Sequence, residues 1–480
     1  MDANRFGAFI AGLRREKHMT QAHLAELLQV TDKAVSRWER GIGFPDVGTL
    51  FPLSKVLGVS ISELMHAEKT TTVLEEKENT MDMEKYSIKS VRMIGDITGY
   101  GHTHQWDVWG TDLGIPVYSP TYQRMYFLFG DTFSPPEGVK PIITSNKDKY
   151  KKCNRRGTVA GYTTDFDLSN GLRWEGFLSD KKGNARALID AHYTGNTGCE
   201  STKISQGGIE IDGALYVFYE SIRNWDSAST GFNRSWRINY SGVIKSLDGG
   251  ETFERVYDLT WVETDQGENV EVIKRLAEED MELRPSGFDL DLSTHVAPGF
   301  GQMYPVDGKD GYVYIYGRHG GRAHGIKVGR VKRNKFESFS EYEYLTGFEN
   351  GDPVWVKGQE GLNILHNREP ECDIIAGPCS NMTVHYNAYL SKWVLIYYKV
   401  GIGIMFAVSD TPYGAYSTPK VLLPIDDPML TEDNPKGGNV LYGGFTHELL
   451  NKEGGKRMMM IISQFYTGFY NSKLVEVTFE

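Results

Sequence analysis

The sequence has little cysteine and no long apolar run. Its four cysteines are spread over 480 residues without Cys-x-x-Cys spacing, so we expect reduced thiols. No stretch approaches the roughly 18 consecutive apolar residues that a membrane-spanning helix needs. The opening segment 1–20 has no apolar run followed by a small-residue cleavage site, so it does not resemble a signal peptide. We therefore expect a cytoplasmic protein with no membrane partner.

An excess of positive charge is also missing. The chain holds 52 Lys and Arg against 63 Asp and Glu, a net charge of −11. The balance is uneven, because residues 1–69 contain nine Lys and Arg against eight Asp and Glu. Any affinity for nucleic acid must therefore be local to the N-terminal segment.

Length and composition indicate a multidomain protein. A chain of 480 residues is too long for one compact core. Its 53 glycines and its aromatic content of 12% favour turns and β-structure. We expect a small all-α domain at 1–69, a flexible polar linker at 70–90 and an all-β domain at 91–480. Within the third segment, 270–283 is the main stretch with a helical period.

Five short helical patterns follow one another in residues 1–69. In the first, four apolar residues share one face: Phe6, Phe9, Ile10 and Leu13. Thr20 can cap a second helix, whose apolar positions are Leu24, Ala25 and Leu27. Thr31 can cap a third helix, which Gly41 ends. Two more patterns follow at 46–58 and 60–67.

The third helical pattern divides its residues between a core and a free face. Val35 and Trp38, with Val30, can anchor the helix to the core. Four polar side chains near the helix start then face away: Asp32, Lys33, Ser36 and Arg37. A helix-turn-helix protein requires this division, because the first turns of its second helix meet base edges in the major groove.

This segment resembles the Cro/repressor-type helix-turn-helix family. The resemblance covers about residues 5–66 and includes "MTQAHLAELLQVTDKAVSRWERG" and "PLSKVLGVSISELM". It implies that five residues contact duplex DNA: Gln21, Asp32, Lys33, Ser36 and Arg37. It also implies a homodimer that binds two half-sites about one helical turn apart.

From about residue 91 the pattern changes to short aromatic and β-branched runs separated by turns, as in "RMYFLFGDTF" and "KWVLIYYKV". Strand groups recur around 112–133, 207–253, 302–345, 380–423 and 440–479, which predicts a five-bladed β-propeller. The motif "SLDGGETF", from Ser246 to Phe253, fits the Asp-box turn of sialidase-like propellers. In that turn the Asp and Thr brace a hairpin, so we interpret Asp248 as structural.

Acidic and aromatic residues cluster most densely between 96 and 133. Asp112 precedes one predicted strand and Asp131 ends the next, so both can face one cleft near a propeller axis. Glycoside hydrolysis requires such a pair, one carboxyl to protonate the leaving oxygen and one to attack or to activate water. Trp106 and Trp109 can supply surfaces on which a sugar stacks. The alternative is that both aspartates only form turns.

Several stretches in this region resemble one bacterial glycosidase family. "GTDLGIP", "YFLFGDTF", "GGIEIDGALYVFYES" and "YGGFTHELL" are similar to five-bladed propellers that include endo-D-arabinanases, a family long known only as a domain of unknown function. The resemblance runs from about 92 to 480. It implies a catalytic pair at Asp112 and Asp131, with His447 and Glu448 near the same face. The implied substrate is a furanoside oligosaccharide.

The sequence predicts no metal and no cofactor. His102, His104 and Asp107 lie close together, but a His-x-His pattern on a loop occurs often by chance. The glycine-rich "RHGGRAHGIKVGR" lacks the strand–loop–helix context of a phosphate-binding loop.

Three functions remain open at this point. The first is a DNA-binding transcriptional regulator whose propeller senses or processes a carbohydrate. The second is an intracellular glycoside hydrolase with an attached DNA-binding domain, and the third is an interaction propeller whose acids are turn residues. The first is favoured because a DNA-binding protein works in the cytoplasm, whereas arabinan polymers lie outside the cell.

Overall fold

The structure is a computed structural model that describes residues 3–17, 19–28, 30–45, 86–134, 154–192, 200–225, 236–263, 294–431, 440–466 and 469–480, with scattered residues between 49 and 67. The chain divides into two compact units, Met1–Met81 and Asp82–Glu480. Most of the predicted linker lies outside the described residues. Its flexibility and the predicted limits 1–69, 70–90 and 91–480 therefore stay predictions.

The first unit contains the helix-turn-helix. Its described helices are α1 (Ala3–Glu16), α2 (Gln21–Leu27) and α3 (Asp32–Glu39). The Thr20 hydroxyl caps α2 by accepting a hydrogen bond of 3.1 Å from the backbone N–H of His23. The Thr31 hydroxyl caps α3 in the same way, at 3.2 Å from the N–H of Ala34. Both predicted caps are confirmed.

Gly41 ends α3 as predicted, with a positive φ of 70°. A Cβ atom at this position would lie 2.3 Å from the side-chain oxygen of Asn4, so the close approach to α1 also requires glycine. The predicted helices at 46–58 and 60–67 lie mostly outside the described residues.

An apolar core joins the three helices. The buried residues it takes from them are Phe6, Ile10, Leu13, Leu24, Ala25, Val35 and Trp38. Leu27 was predicted to face this core, but its side chain is 48% exposed. Leu28 is buried instead, because it lies four positions after Leu24 and so shares its face of the helix.

The second unit is an all-β propeller with five blades, as predicted. It begins with β1 (Ile88–Asp96), which joins the last blade. Blade 1 consists of β2 (Leu113–Ser119), β3 (Arg124–Phe129), β6 (Val159–Thr163) and β7 (Gly176–Phe177), beside a two-stranded ribbon of β4 (Thr132–Ser134) and β5 (Asn154–Arg156). Blade 2 consists of β8 (Thr202–Ile211), β9 (Ala214–Trp225), β10 (Trp236–Ser246) and β11 (Glu254–Val262).

The remaining blades follow in chain order. Blade 3 consists of β12 (Gln302–Asp307), β13 (Tyr312–Arg318), β14 (Lys327–Lys332), β15 (Glu343–Glu349) and β16 (Asp352–Lys357). Blade 4 consists of β17 (Met382–Asn387), β18 (Lys392–Lys399), β19 (Gly403–Ser409) and β20 (Lys420–Pro424). Blade 5 consists of β21 (Val440–Phe445), β22 (Arg457–Tyr466), β23 (Phe469–Phe479) and β1.

The inner strands of the blades form a closed ring around the axis. Each of β2, β8, β12, β17 and β21 contacts the inner strands of both neighbouring blades. Blade 5 is completed by β1, which pairs antiparallel with β23 from Ile88 opposite Phe479 to Asp96 opposite Lys473. Because strands from both ends of the propeller segment share this blade, the ring is closed by hydrogen bonds between its first and last strands.

Among the described residues of the propeller, two segments are α-helical. The helix α4 (Gly358–Asn367) packs against β15 and β16, and α5 (Pro428–Thr431) is a single turn. The helical pattern predicted at 270–283 lies outside the described residues. Within the described ranges no helix is long and apolar enough to cross a membrane. Cys372 and Cys379 are buried free thiols.

The Asp-box motif forms the turn between β10 and β11. The Asp248 carboxylate accepts hydrogen bonds from the backbone N–H of Thr252 at 2.9 Å and from its hydroxyl at 2.6 Å. It also accepts one from the Ser246 hydroxyl at 2.8 Å. The Thr252 bonds are the main cause that lowers the pKa of Asp248 to about 2. Asp248 is therefore a structural carboxylate, as the sequence indicated.

Candidate active site

Three carboxyl groups lie at the face of the propeller where the inner strands begin, which we call the acidic face. Asp112 directly precedes β2, the inner strand of blade 1, and Asp131 lies two residues after the end of β3. Glu220 lies toward the end of β9. Since β3 and β9 run antiparallel to their inner strands, they end at the face where those inner strands begin.

Asp112 is half-buried between blades 1 and 5. Its Oδ2 accepts a hydrogen bond of 2.7 Å from the Tyr442 hydroxyl, and the Tyr470 hydroxyl is a second partner. Its Oδ1 is buried and, within the described part of the chain, accepts no hydrogen bond. A Cβ atom on Gly130 would lie only 2.4 Å from this oxygen, so glycine there leaves room for the carboxyl.

The environment of Asp112 favours its protonated form. Burial raises the pKa of Asp112 to about 7, although the hydrogen bonds from Tyr470 and Tyr442 act in the opposite direction. The negative charge of Asp131 raises the pKa further. Asp112 can therefore hold or release a proton near neutral pH.

Two residues orient the Asp131 side chain. The Arg155 guanidinium donates to both of its oxygens, at 3.3 Å and 2.7 Å. The Thr202 hydroxyl, at the start of the inner strand of blade 2, donates at 2.9 Å. This two-pronged ion pair fixes the orientation of the carboxylate.

Glu220 is the carboxyl group that the sequence analysis missed. Its side chain is 2% exposed and accepts hydrogen bonds from Gln302 at 3.1 Å and from Trp236 at 3.3 Å. Burial raises the pKa of Glu220 to about 7, the charge of Arg318 opposes this rise, and the charge of Asp112 adds to it. The two acids are thus close enough to influence each other's charge. The signal in the sequence was a single acid within the aromatic strand "ALYVFYES".

Two arginines from blade 3 complete the acidic face. The Arg322 guanidinium lies 5.4 Å from the ring centres of Trp236 and Tyr442 and 5.5 Å from that of Tyr398. These rings come from blades 2, 4 and 5. Arg318 is fully buried and hydrogen-bonded to the Gln302 side chain. All five blades therefore contribute to this face.

The two predicted sugar-stacking tryptophans have different surroundings. Trp109 donates its backbone N–H to the carbonyl of Phe133 at 3.0 Å, two residues after Asp131. Its ring stacks on Tyr100 at 5.3 Å, and Tyr100 is 72% exposed. Trp106 instead packs against Phe177 in the outer strand of blade 1, with ring centres 5.3 Å apart. Only Trp109 joins an exposed aromatic surface beside the acids.

His447 and Glu448 do not lie with the aspartates. They follow β21 at the end opposite to Tyr442, the residue that contacts Asp112. The His447 ring lies 6.2 Å from Tyr118, near the far end of β2. Since β2 spans seven residues, about 20 Å of strand separates this end from Asp112. The prediction that His447 and Glu448 lie at the same face as the aspartates is therefore wrong, because the two ends of an inner strand lie at opposite faces of the propeller.

Two side chains of the histidine-rich loop, His104 and Asp107, have different partners. The His104 Nδ1 accepts a hydrogen bond of 3.0 Å from the backbone N–H of Gly101. Asp107 contacts Asn154 at 3.3 Å and Arg156 at 3.6 Å. The absence of a metal at His102, His104 and Asp107 stays a prediction.

The helix-turn-helix places most of its predicted DNA-contacting residues at the start of α3. Asp32, Lys33 and Arg37 are exposed, and Ser36 is half-buried. Gln21 is arranged differently, because its side-chain amide donates to the Glu39 carboxylate at 2.6 Å.

Glu39 also accepts two hydrogen bonds from Arg14, of which the longer is 2.9 Å. Although burial opposes it, these bonds and the one from Gln21 lower the pKa of Glu39. This ion pair, which the sequence analysis missed, ties α1 to α3 and so fixes the orientation of the exposed helix.

Comparison with known proteins gives the family. Residues 98–476 match the family described as a domain of unknown function (DUF4185). The chain belongs to the DUF4185 family. Residues 10–64 match a helix-turn-helix family. Both matches confirm the resemblances noted in the sequence.

Two named relatives cover different parts of the chain. The HTH-type transcriptional activator BcrR of Enterococcus faecalis is 40% identical over 80 residues, which are 17% of this chain and 39% of that protein. Notoamide biosynthesis cluster protein J of Aspergillus sp. (strain MF297-2) is 24% identical over 379 residues, which are 77% of this chain and 83% of that protein. The chain thus spans about two fifths of the activator's length.

Solved structures show more distant similarity. A protein of Bacteroides ovatus ATCC 8483 named as a hydrolase is 14% identical with a TM-score of 0.47, over 78% of this chain and 87% of that one. The α-L-arabinofuranosidase PaAbf62A from Podospora anserina is 8% identical with a TM-score of 0.35, over 80% of this chain and 95% of that one. Similarity at this level does not identify a reaction.

Proposed function

We propose that the protein is a DNA-binding transcriptional regulator whose propeller binds a furanoside oligosaccharide at the acidic face and hydrolyses it there. One observation carries the proposal. Asp112, with a pKa raised to about 7, lies beside Asp131, which forms an ion pair with Arg155. A carboxyl group that can hold a proton near neutral pH, next to a second acid, is what acid-assisted glycoside hydrolysis requires.

In this proposal Asp112 is the general acid. Its Oδ1 is buried and accepts no hydrogen bond from the described residues, so this oxygen can carry the proton that a leaving group would receive. Asp131 is the charged partner that attacks, activates water or stabilises the positive charge developing on the sugar. Glu220 is a positioning residue, since both of its oxygens accept hydrogen bonds from neighbouring side chains.

The DNA-binding half of the proposal is supported by the exposed start of α3. Asp32, Lys33 and Arg37 are exposed in the turns that meet base edges in other helix-turn-helix proteins. We propose that the protein binds DNA as a homodimer. Because it binds DNA, we also propose that it works in the cytoplasm. Replacing Arg37 with Ala should weaken operator binding by about 1–3 kcal/mol, as measured by gel shift at fixed salt.

The hydrolase is tested by measuring product release from a panel of arabinofuranoside oligosaccharides. Wild-type protein should cleave at least one of them, and Asp112→Asn should reduce the rate by about 10²–10⁴-fold. Glu448→Gln is the matched control, because it removes a carboxylate from the opposite face and should leave the rate unchanged. If no furanoside is cleaved or bound by the wild type, the proposal for the propeller is wrong.

Sensing without cleavage is the second candidate. The observation in its favour is that Arg155 and Thr202 already occupy both oxygens of Asp131, so this carboxylate is poorly placed to attack a sugar. In that case calorimetry should detect binding of the oligosaccharide without product release. The bound sugar should also change the affinity of the full chain for its operator.

A further inference from the structure

Two histidines and one glutamate converge in the part of blade 3 that follows β13. The His319 Nε2 lies 2.9 Å from one carboxylate oxygen of Glu369, and the His324 Nδ1 lies 3.2 Å from the other. The two imidazole rings have centres 4.2 Å apart. One nitrogen of each histidine and one oxygen of Glu369 all lie within 4.8 Å of one another.

These separations match those of ligands around one ion. Two ligand atoms at 2.0–2.1 Å from a tetrahedral zinc ion are about 3.3 Å from each other. The two histidine–glutamate distances of 2.9 Å and 3.2 Å, which run to different oxygens of Glu369, are close to that value. Two imidazoles and one carboxylate are also a donor set that suits zinc and neighbouring transition metals, whereas calcium and magnesium prefer oxygen ligands alone.

Glu263 supplies the outer partner that metal-binding histidines commonly have. The His319 Nδ1 lies 3.3 Å from a carboxylate oxygen of Glu263, and both side chains are fully buried. A hydrogen bond from Nδ1–H to this carboxylate would leave the lone pair of Nε2 directed at Glu369. A carboxylate that orients a histidine in this way fixes its tautomer and strengthens it as a ligand.

A lysine also contacts Glu369, but at only one of its two carboxylate oxygens. The Lys327 ammonium lies 2.7 Å from Glu369 Oε1 and 2.9 Å from Asp373 Oδ1, so it has its own second carboxylate. The Oε2 of Glu369 faces His319 alone among these groups.

We propose that His319, His324 and Glu369 bind one divalent transition metal ion of the zinc class. The cluster is open on one side, since the His324 side chain is 42% exposed and that of Glu369 is 18% exposed. An ion can therefore enter from solvent, and water can fill its fourth position. The sequence predicts no metal here, because His319 and Glu369 are 50 positions apart and no short motif joins them.

The ion would also stiffen the acidic face. His319 directly follows Arg318, which donates to the carbonyl of His319 at 2.9 Å and to the side chain of Gln302. Gln302 in turn donates to Glu220 at 3.1 Å. A metal ion on His319 thus fixes the chain segment that positions Glu220, but the binding itself does not depend on any activity of the propeller.

The test uses the full chain after removal of metals with a chelator. Titration with Zn²⁺ alone should show one equivalent bound in calorimetry and a rise in melting temperature, because the ion binds the folded state. Co²⁺ should bind at the same stoichiometry and give the intense visible absorption of a tetrahedral site. His324→Ala should weaken Zn²⁺ binding by at least tenfold.

Two further variants keep the test independent of folding. Glu369→Gln retains the shape of the side chain but loses its charge, so it should also weaken the binding of Zn²⁺ by at least tenfold. His102→Ala removes an exposed histidine from another loop and should bind Zn²⁺ like the wild type. If the wild type binds no stoichiometric Zn²⁺, or if His324→Ala binds it equally well, the proposal is wrong.

Discussion

The two faces of the propeller bury titratable groups of opposite kind. At the acidic face, burial raises the pKa of Asp112 and of Glu220 to about 7. At the opposite face, burial lowers the pKa of His447 to about 4 and that of His385 to about 3. In both places the low-dielectric interior disfavours the charged form.

The difference between the faces lies in the neighbours of these groups. Asp112 has a second carboxylate, Asp131, beside it and an oxygen that no described residue occupies. The imidazole of His447 instead accepts a hydrogen bond of 3.2 Å from the backbone N–H of Leu449. Burial and an unbonded atom do not by themselves mark a site, since the buried His385 at the opposite face also has an Nδ1 without a hydrogen bond among the described residues. What distinguishes the acidic face is its pair of neighbouring carboxyl groups, which glycoside hydrolysis can use.

Removing the buried charge at the acidic face should have the largest effect on stability. The pKa of Glu220 is higher in the folded state than in the unfolded state, so wild-type stability should fall as the pH rises from about 4.5 to about 7. Glu220→Gln stays neutral and should be more stable than the wild type at pH 8, by up to about 3 kcal/mol. Urea unfolding at both pH values measures this, and equal stability of the two proteins at pH 8 would contradict it.

The opposite face should respond to acid instead. The pKa of His447 is lower in the folded state, so its contribution to stability is present at neutral pH and is lost as the pH falls from about 6.5 toward 4. His447→Asn keeps an acceptor for the Leu449 N–H and should remove about 1–2 kcal/mol of this acid sensitivity, given the partial exposure of the site. Thermal unfolding between pH 4 and 7 tests it, and an unchanged pH dependence would be the contrary result.

The smallest effect on stability is expected for the exposed residue Asp248. Asp248 has its pKa lowered to about 2 by the hydrogen bonds of the Asp-box turn. Asp248→Asn should cost about 1 kcal/mol at pH 7, because the charge-assisted bonds from Thr252 weaken. Denaturant unfolding should show a loss at pH 7 that disappears toward pH 2. If Asp248→Asn were instead more stable than the wild type at pH 7, Asp248 would behave like the buried acids, and the prediction would be wrong.

Local features were predictable from the sequence. The caps at Thr20 and Thr31 and the Asp-box turn depend on residues at most four positions apart, so a short pattern contains all the partners. The five-bladed fold was predictable because turns and apolar strands recur along the chain. The exposure of Leu27 was not predictable from the sequence. Both Leu27 and Leu28 lie near the helix face of Leu24, and only the packing of the helices determines which of them is buried.

Non-local features were not predictable in the same way. Glu220 becomes a site residue only when Trp236 and Gln302 fold over it, and His319 meets Glu369 across 50 positions of sequence. The prediction that His447 lies at the face of the aspartates was wrong. The motif that contains His447 does not show at which end of its strand the residue lies. The order of the strands can be predicted from the sequence. Which strand ends lie next to each other depends on how the blades close into a ring.

The central claim is that Asp112 holds a proton near neutral pH at a face built for carbohydrate chemistry. The most direct measurement is a carbon NMR titration of the labelled aspartate carboxyl groups in the full chain, with Asp112→Asn used to assign the signal. The account predicts an apparent pKa of about 7 for Asp112. A pKa near 4, the ordinary value for an aspartate, would contradict it.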